Sequence, residues 1–269
     1  MKKAVSRVYM ALVFLFLYAP ILVLVVFSFN DTDTKSRTVW SGFSLRWYEM
    51  LFEDRMLLEA LRNTLIIAVC AAVGATVLGT VAAVGIHSMK SWRRKLVMNI
   101  TNLPMLNPEI VTGVSLMLLM VFVANLFGVT LGIVSIILAH ITFCLPYVIL
   151  SILPKLGQMD PHLYEAAQDL GCTPVRSFFK VVLPEILSGV VTGMVMAFTL
   201  SLDDFIISYF CSGTTQTLPV FIYSMTKKRV SPEINALSTL LFAVILVLLL
   251  IINIRQGKMG KKAAKEANV

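Results

Sequence analysis

Charge is what this chain has least of for its length. Asp, Glu, Lys and Arg make up 14% of the 269 residues, against 58% hydrophobic residues and a mean hydropathy of +0.84. A soluble domain carries about a quarter charged residues, so a soluble class is excluded and a polytopic membrane protein is indicated. Cysteine is also sparse. Cys70, Cys144, Cys172 and Cys211 show no C-x-x-C spacing, which argues against a disulfide framework and a zinc site. His87, His140 and His162 are scattered and suggest no metal centre. No G-x-x-x-x-G-K-[ST] stretch occurs, so P-loop ATP hydrolysis belongs to a partner if it occurs at all. No H-E-x-x-H or Ser/His/Asp arrangement stands out, and no cofactor is indicated in this chain. The net charge of +8 does not imply nucleic acid, because the bases sit between apolar runs, where they report membrane topology.

Six apolar runs are long enough to cross a bilayer, at roughly 8–29, 59–89, 98–126, 132–156, 185–210 and 235–254. They predict an all-α integral membrane protein with one transmembrane domain. The first run follows Lys2, Lys3 and Arg7; it is too long for a signal-peptide core, and no A-x-A-like site follows. Pro20 is expected to bend the first span, Pro104 and Pro108 to break or kink the start of the third, and Pro146 to interrupt the fourth. Gly74, Gly79 and Gly85 in the second span, and Gly189 and Gly193 in the fifth, permit close helix approach. Residues 30–58, with Trp40, Trp47 and Tyr48, suit a loop at the interface. Six spans put both termini on one side, and that side collects fifteen of the 23 Lys and Arg. The positive-inside rule then makes both termini and the loop 157–184 cytoplasmic.

The polar residues at membrane depth are acids: Glu109 in LNPEI, and Asp203-Asp204 in TLSLDDFIISYF. Intramembrane ionisable groups are costly and point to a pathway or binding site. The plainer alternatives are solvated caps beyond the fifth helix for the Asp pair, and an interfacial position for Glu109. No Lys or Arg is central in a span, which favours a cationic passenger over sulfate or phosphate. Tyr147 and Tyr209 are candidates for cation–π contacts, although aromatic residues in spans ordinarily pack. Helical neighbours point about 100° apart, so one Asp faces the lumen. Asp203 is favoured, because Asp204 equally suits capping the next turn or pairing with a partner subunit.

The most polar interval of the second half is Glu165–Pro184, EAAQDLGCTPVRSFFKVVLP. Asp160-Pro161 supplies an N-cap and a first-turn Pro. Leu163, Ala166, Ala167 and Leu170 form one apolar stripe, and Gly171 stands where a helix C-terminus wants positive φ. Thr173-Pro174 starts a second short helix, for which Pro184 is the expected end. Such a helix–turn–helix either packs on its own membrane domain or presents its small-residue face to a groove on another protein.

Glu165-Ala166-Ala167, three residues, Gly171, nine residues and Val181-x-Leu183-Pro184 resemble the EAA loop of ABC importer permeases, with Val181 where that family often has Ile. HITFCLPYVIL, FTLSLDDFIISYFCSG and SPEINALSTL are similar to permease subunits of the spermidine/putrescine branch, and the likeness covers nearly the whole chain. The resemblance implies a type I, MetI-like permease fold and a non-enzymatic subunit forming half of a polyamine pore in a bacterial cytoplasmic membrane. Glu165, Ala166, Ala167, Gly171, Leu183 and Pro184 would then couple to an ATPase. The implied partners are a homologous permease, two ATPase subunits that carry ATP and Mg, an extracytoplasmic polyamine-binding protein and the lipid bilayer. The rival readings are an ABC permease for another small cationic or organic solute, an ion-coupled secondary transporter, and an integral-membrane enzyme using the Asp pair. The absence of an obvious inverted repeat counts against the secondary transporter, and the absence of a second catalytic set counts against the enzyme.

Overall fold

The computed structural model describes residues 2–31, 40–128, 130–160, 162–228, 233–247 and 250. Pro161, Arg229 and the basic residues from Arg255 onward therefore lie outside the described residues. Five described helical runs are long and apolar enough to cross a membrane: Ser6–Phe27, Arg55–His87, Glu109–Phe127, Ile133–Gln158 and Pro174–Asp203. A further apolar helix, Glu233–Val247, is shorter, and the rest of the last expected span falls largely outside the described residues.

The described residues form two compact units, one drawn from the chain up to Glu59 and from Phe221 onward, the other from Ala60–Val220. In the first, α1 (Lys2–Phe27) continues past Pro20, and its side chains from Val8 to Leu17 are exposed. A helix apolar all round needs lipid or other helices about it. The following loop folds onto α2 (Arg46–Glu53). The Trp47 indole N–H donates to the Asn30 carbonyl at 2.9 Å, and Phe29 stacks on Phe43 with ring centroids 5.3 Å apart.

The second unit carries α3 (Arg55–His87, from Ala60 on), α4 (Ser91–Leu106), α5 (Glu109–Phe127), α6 (Ile133–Gln158), α7 (His162–Asp169), α8 (Pro174–Ser177), α9 (Leu183–Asp203) and α10 (Ile206–Cys211). It is followed by α11 (Leu218–Lys228) and, in the first unit, α12 (Glu233–Val247). The third apolar run is two helices. Pro104 stays inside α4, and the break falls at Asn107-Pro108. Asn107 there is extended, with φ −77° and ψ 144°, the conformation a following proline imposes.

Two other prolines depart from expectation. Pro146 does not interrupt its span, because α6 runs unbroken through Pro146 and Pro154; inside a packed bundle, neighbouring helices and local adjustment absorb one missing hydrogen bond. Pro184 does not end the second short helix but lies in the first turn of α9. Immediately before it a π-helical turn, Phe178–Val182, widens the backbone, and the Leu183 N–H reaches back to the Phe178 carbonyl. Such widened turns relieve local backbone strain, so Pro174–Asp203 continues as one helical run of 30 residues.

Helix α6 packs extensively against α9. This packing follows a ladder of small residues four apart on α9: Gly189, Gly193, Ala197 and Ser201, all buried. A Cβ on Gly189 would lie 2.9 Å from the Ser151 carbonyl oxygen, and one on Gly193 would lie 3.2 Å from Val148 Cα. Cys144 Sγ sits 3.5 Å from the Ala197 carbonyl, and His140 meets Ser201. The two helices are therefore antiparallel, in contact at four successive rungs, with close backbone approach at the two glycines, as small-xxx-small spacing allows. On the same helix α6, Ile141 and Val148 fill the space over Gly74 and Gly79 of α3.

Gly189→Leu is expected to destabilise the folded protein by about 1–3 kcal/mol, the usual cost of overpacking. Gly85→Ala, whose Cβ meets no heavy atom within 4 Å, should be neutral. Thermal denaturation of the two variants in detergent measures the difference.

Candidate functional site

The second unit has helix interruptions at Asn107-Pro108 and at Asp204-Phe205. A cavity of about 360 Å³ is lined by Glu109, Phe143, Thr199, Leu200, Asp203, Asp204, Phe205 and Ile206. That volume falls within the roughly 300–1,000 Å³ of small-molecule sites. The cavity brings together the three acids singled out in the sequence, and its lining contains no Lys or Arg. Glu109 opens the first turn of α5, where the helix dipole favours an acid. Close packing of α10 on α5 brings that turn near the α9–α10 break: a Cβ on Gly113 would lie 3.0 Å from both the Ile206 and Phe210 side chains.

The two aspartates differ. Asp203 is exposed toward the cavity, whereas the Asp204 side chain is only 5% exposed. Asp204 Oδ2 accepts the Ser208 backbone N–H at 2.8 Å, closing the first turn of α10. Neither residue lies beyond the end of the bundle. The last turn of α9 pairs with His140, seven residues into α6 and so about 10 Å from its start. The chain then continues along α6 through α10 until the Ser135 hydroxyl donates to the Cys211 carbonyl at 3.0 Å.

Behind Asp204 stands a group that the sequence alone did not assemble. His140 is 1% exposed; its Nδ1 lies 2.6 Å from Ser201 Oγ. Its Nε2 lies 3.2 Å from Ser208 Oγ and 3.4 Å from Asp204 Oδ2. With the proton on Nε2, the ring donates to Ser208 Oγ, beside Asp204 Oδ2, and accepts the Ser201 hydroxyl on Nδ1, which satisfies both nitrogens. Ser201, His140 and Asp204 are thus a Ser/His/Asp constellation, where the sequence showed none. It is not a nucleophile in waiting, because Ser201 is 2% exposed and does not line the cavity. Two signals pointed to it: an ionisable residue inside an apolar span, and the helical spacing of Ser201, Asp204 and Ser208.

Tyr147 and Tyr209 do not line the cavity. Tyr147 sits behind Phe143, ring centroids 5.7 Å apart, and Tyr209 lies against Phe205 at 5.5 Å. The aromatic residues on the wall are Phe143 and Phe205, which the sequence reading did not single out. Among the described residues, no three His, Cys, Asp or Glu side chains gather as a metal site.

At the far end of the α9 run, the Glu165 segment folds as α7, a tight turn and α8. Asp160 Oδ1 accepts the His162 N–H at 3.0 Å. Gly171 has φ +84°. The Cys172 N–H bonds to the Ala167 carbonyl and the Gly171 N–H to that of Gln168, the paired bonds of a Schellman turn. Of the expected stripe, only Ala167 is buried; Leu163, Ala166 and Leu170 are exposed, as are Glu165, Val175 and Phe179. Leu170 is 87% and Val175 67% exposed. Ala166 and Ala167 therefore do not share one outward face. Ala167 holds the segment together, and an apolar surface of larger side chains points away from the chain. Leu183 and Pro184 belong to the start of α9. The run Pro174–Asp203 joins this segment to the acids through about 45 Å of helix.

Residues 75–263 match the family described as binding-protein-dependent transport system inner membrane component. The chain belongs to this family. It is therefore a multi-pass membrane component of a transport system and not an enzyme. Among its relatives is the putrescine transport system permease protein PotI of Escherichia coli K12, 43% identical over 243 residues that cover 88% of this chain and 85% of that one. The spermidine/putrescine transport system permease protein PotC of Haemophilus influenzae is 39% identical, covering 90% and 93%. The fold matches a chain of a bacterial alginate ABC importer, TM-score 0.73 at 17% identity, with 95% of each covered. It also matches a chain of a methionine ABC transporter, TM-score 0.61 at 20% identity, covering 78% of this permease and 96% of that chain. The type I, MetI-like permease fold is thereby established.

Asp204→Ala should lower stability by about 1 kcal/mol, because it leaves the Ser208 N–H without its cap. Asp203→Ala, at an exposed position, should shift it by no more than about 0.5 kcal/mol. Thermal midpoints of the purified permeases compare them.

Proposed function

We propose that this permease is one half of the pore of an ATP-driven importer for polyamines in a bacterial cytoplasmic membrane. The observation that carries the reading is the cavity in which Glu109, Asp203 and Asp204 meet without a base. A passenger with two or more ammonium groups cannot cross an apolar gate uncompensated, and three carboxyl groups around one cavity suit such a cation and would repel an anion. Phe143 and Phe205 present ring faces to its methylene chain and ammonium groups, with Tyr147 and Tyr209 supporting those rings. The names of the relatives, putrescine and spermidine/putrescine permeases, favour polyamines over another small cationic or organic solute.

The exposed apolar surface of α7 and α8 supports docking on an ATPase subunit, with Glu165, Ala166, Ala167 and Gly171 shaping the docked turn. ATP and Mg would be bound by that partner. Movement of the docked segment passes through Leu183 and Pro184 into α9, whose far end carries Asp203. Closure of the ATPase pair then becomes displacement of the acid-lined cavity wall. The remaining partners in this reading are a homologous permease supplying the other half of the pore, a second ATPase subunit and an extracytoplasmic polyamine-binding protein.

Asp203→Asn and Glu109→Gln should each cut uptake of radiolabelled putrescine and spermidine at least tenfold, at unchanged membrane level, in cells lacking other polyamine importers. A tenfold loss corresponds to only about 1.4 kcal/mol in the transport barrier. Wild-type uptake by both variants and by Asp204→Asn would overturn the cationic reading.

Gly171→Val forces a β-branched residue to positive φ. It should abolish uptake and loosen co-purification of the ATPase while leaving the permease in the membrane. In a cysteine-free background, Gln168→Cys should resist impermeant thiol reagents in intact cells, and Thr130→Cys should be labelled. The opposite pattern would reverse the orientation.

A further inference from the structure

The three acids are not equivalent, and the difference comes from His140. Asp204 has its carboxyl edge on the cavity and its back against α6. There His140 Nε2 lies 3.4 Å from Oδ2 and 3.2 Å from Ser208 Oγ, so it abuts both the carboxyl and the residue whose backbone N–H donates to that same Oδ2 at 2.8 Å. Asp203 and Glu109 are exposed. A carboxyl group buried in a bundle is costly unless it is paired and hydrogen-bonded, and the pairing supplied here comes from a different helix. His140 is itself held from behind, because Ser201 Oγ contacts Nδ1 at 2.6 Å. Its ring has no rotational freedom without losing that contact.

We propose that His140 is a positioning residue of the transport pathway: it holds the Asp204 carboxyl at the cavity wall, so that the passenger meets one fixed and two solvent-exposed acids. The inference rests on the reading of Glu109, Asp203 and Asp204 as the cation pathway. The fixed acid gives the first ammonium group a preorganised partner at no cost in side-chain ordering, the advantage of any locked binding group. The exposed pair adapts to where the next ammonium group falls along the passenger. His140 touches no passenger, since it does not line the cavity. It acts through Asp204.

The test separates the two ends of the imidazole. His140→Asn keeps a polar atom where Nδ1 meets Ser201 but cannot reach Asp204; His140→Gln places an N–H where Nε2 stands. In whole-cell putrescine uptake with the complete importer, at equal membrane levels, His140→Asn should raise KM at least tenfold with the maximal rate within about twofold. His140→Gln should recover most of the wild-type KM. The double variant His140→Asn, Asp204→Asn should be no worse than Asp204→Asn alone, because groups acting through one another are non-additive. Wild-type KM for His140→Asn, equal losses for Asn and Gln, or full additivity with Asp204→Asn would each overturn the proposal. If Asp204→Asn is impaired while His140→Asn is normal, only the role of His140 falls. If all three acid variants transport normally, the cation pathway falls first.

Discussion

The close approach of α6 and α9 is the constraint on which the second unit depends. Between helices in lipid there is little hydrophobic drive, so backbones must come near enough for van der Waals contact and polar bonds. Gly189 and Gly193 make that possible, since a single methyl group on either would press on α6 backbone atoms. The first rungs of the ladder are apolar, and the last, Ser201 on His140, is polar. The same contact therefore holds the helices together and fixes the depth of the acids. A slip by one rung would carry Asp204 about one helical pitch, 5.4 Å, away from its partner.

The interruptions at Pro108 and at Asp204-Phe205 are as necessary as the continuous helices. An unbroken helix through 203–208 would have sent the Asp204 and Ser208 groups along the rod. The break instead turns the Ser208 N–H onto Asp204 Oδ2, so that a backbone donor and a buried acid satisfy each other. Irregular backbone inside a bundle is tolerated where it lines a cavity; the Asp204-Phe205 break lines this one, and the break at Pro108 ends one residue before Glu109 on its wall. The π-helical turn at Phe178–Val182 serves the opposite purpose, keeping α8 and α9 in one run despite Pro184. That run carries an exposed apolar surface at one end and an acid at the other.

Features set by neighbours in the chain were legible in advance. The Schellman turn at Gly171, the capping by Asp160 and the break at Pro108 depend on a few adjacent residues, whose dihedral limits are local properties. The membrane class followed from composition alone. Features set by packing were not legible. Pro146 and Pro184 carry a local rule for breaking helices, and both are overridden, one inside a bundle and the other by a widened turn. The stripe Leu163, Ala166, Ala167 and Leu170 has helical periodicity, but periodicity does not say which members turn inward, and only Ala167 does. Tyr147 and Tyr209 drew attention as aromatic residues near the acids, yet Phe143 and Phe205 occupy the wall.

By itself the sequence determined that this chain lives in a membrane, that its long apolar runs carry no central Lys or Arg, and where its polar loop turns. These are properties of composition and of neighbours within a few residues, and water and lipid act on them whatever the tertiary arrangement. Only the tertiary structure decided that Asp203 faces the cavity while Asp204 is buried with His140 behind it. Those two residues are 64 positions apart in the sequence. Their meeting depends on the register between two helices, and that register is fixed by four rungs of contact between α6 and α9 rather than by either residue's own neighbours.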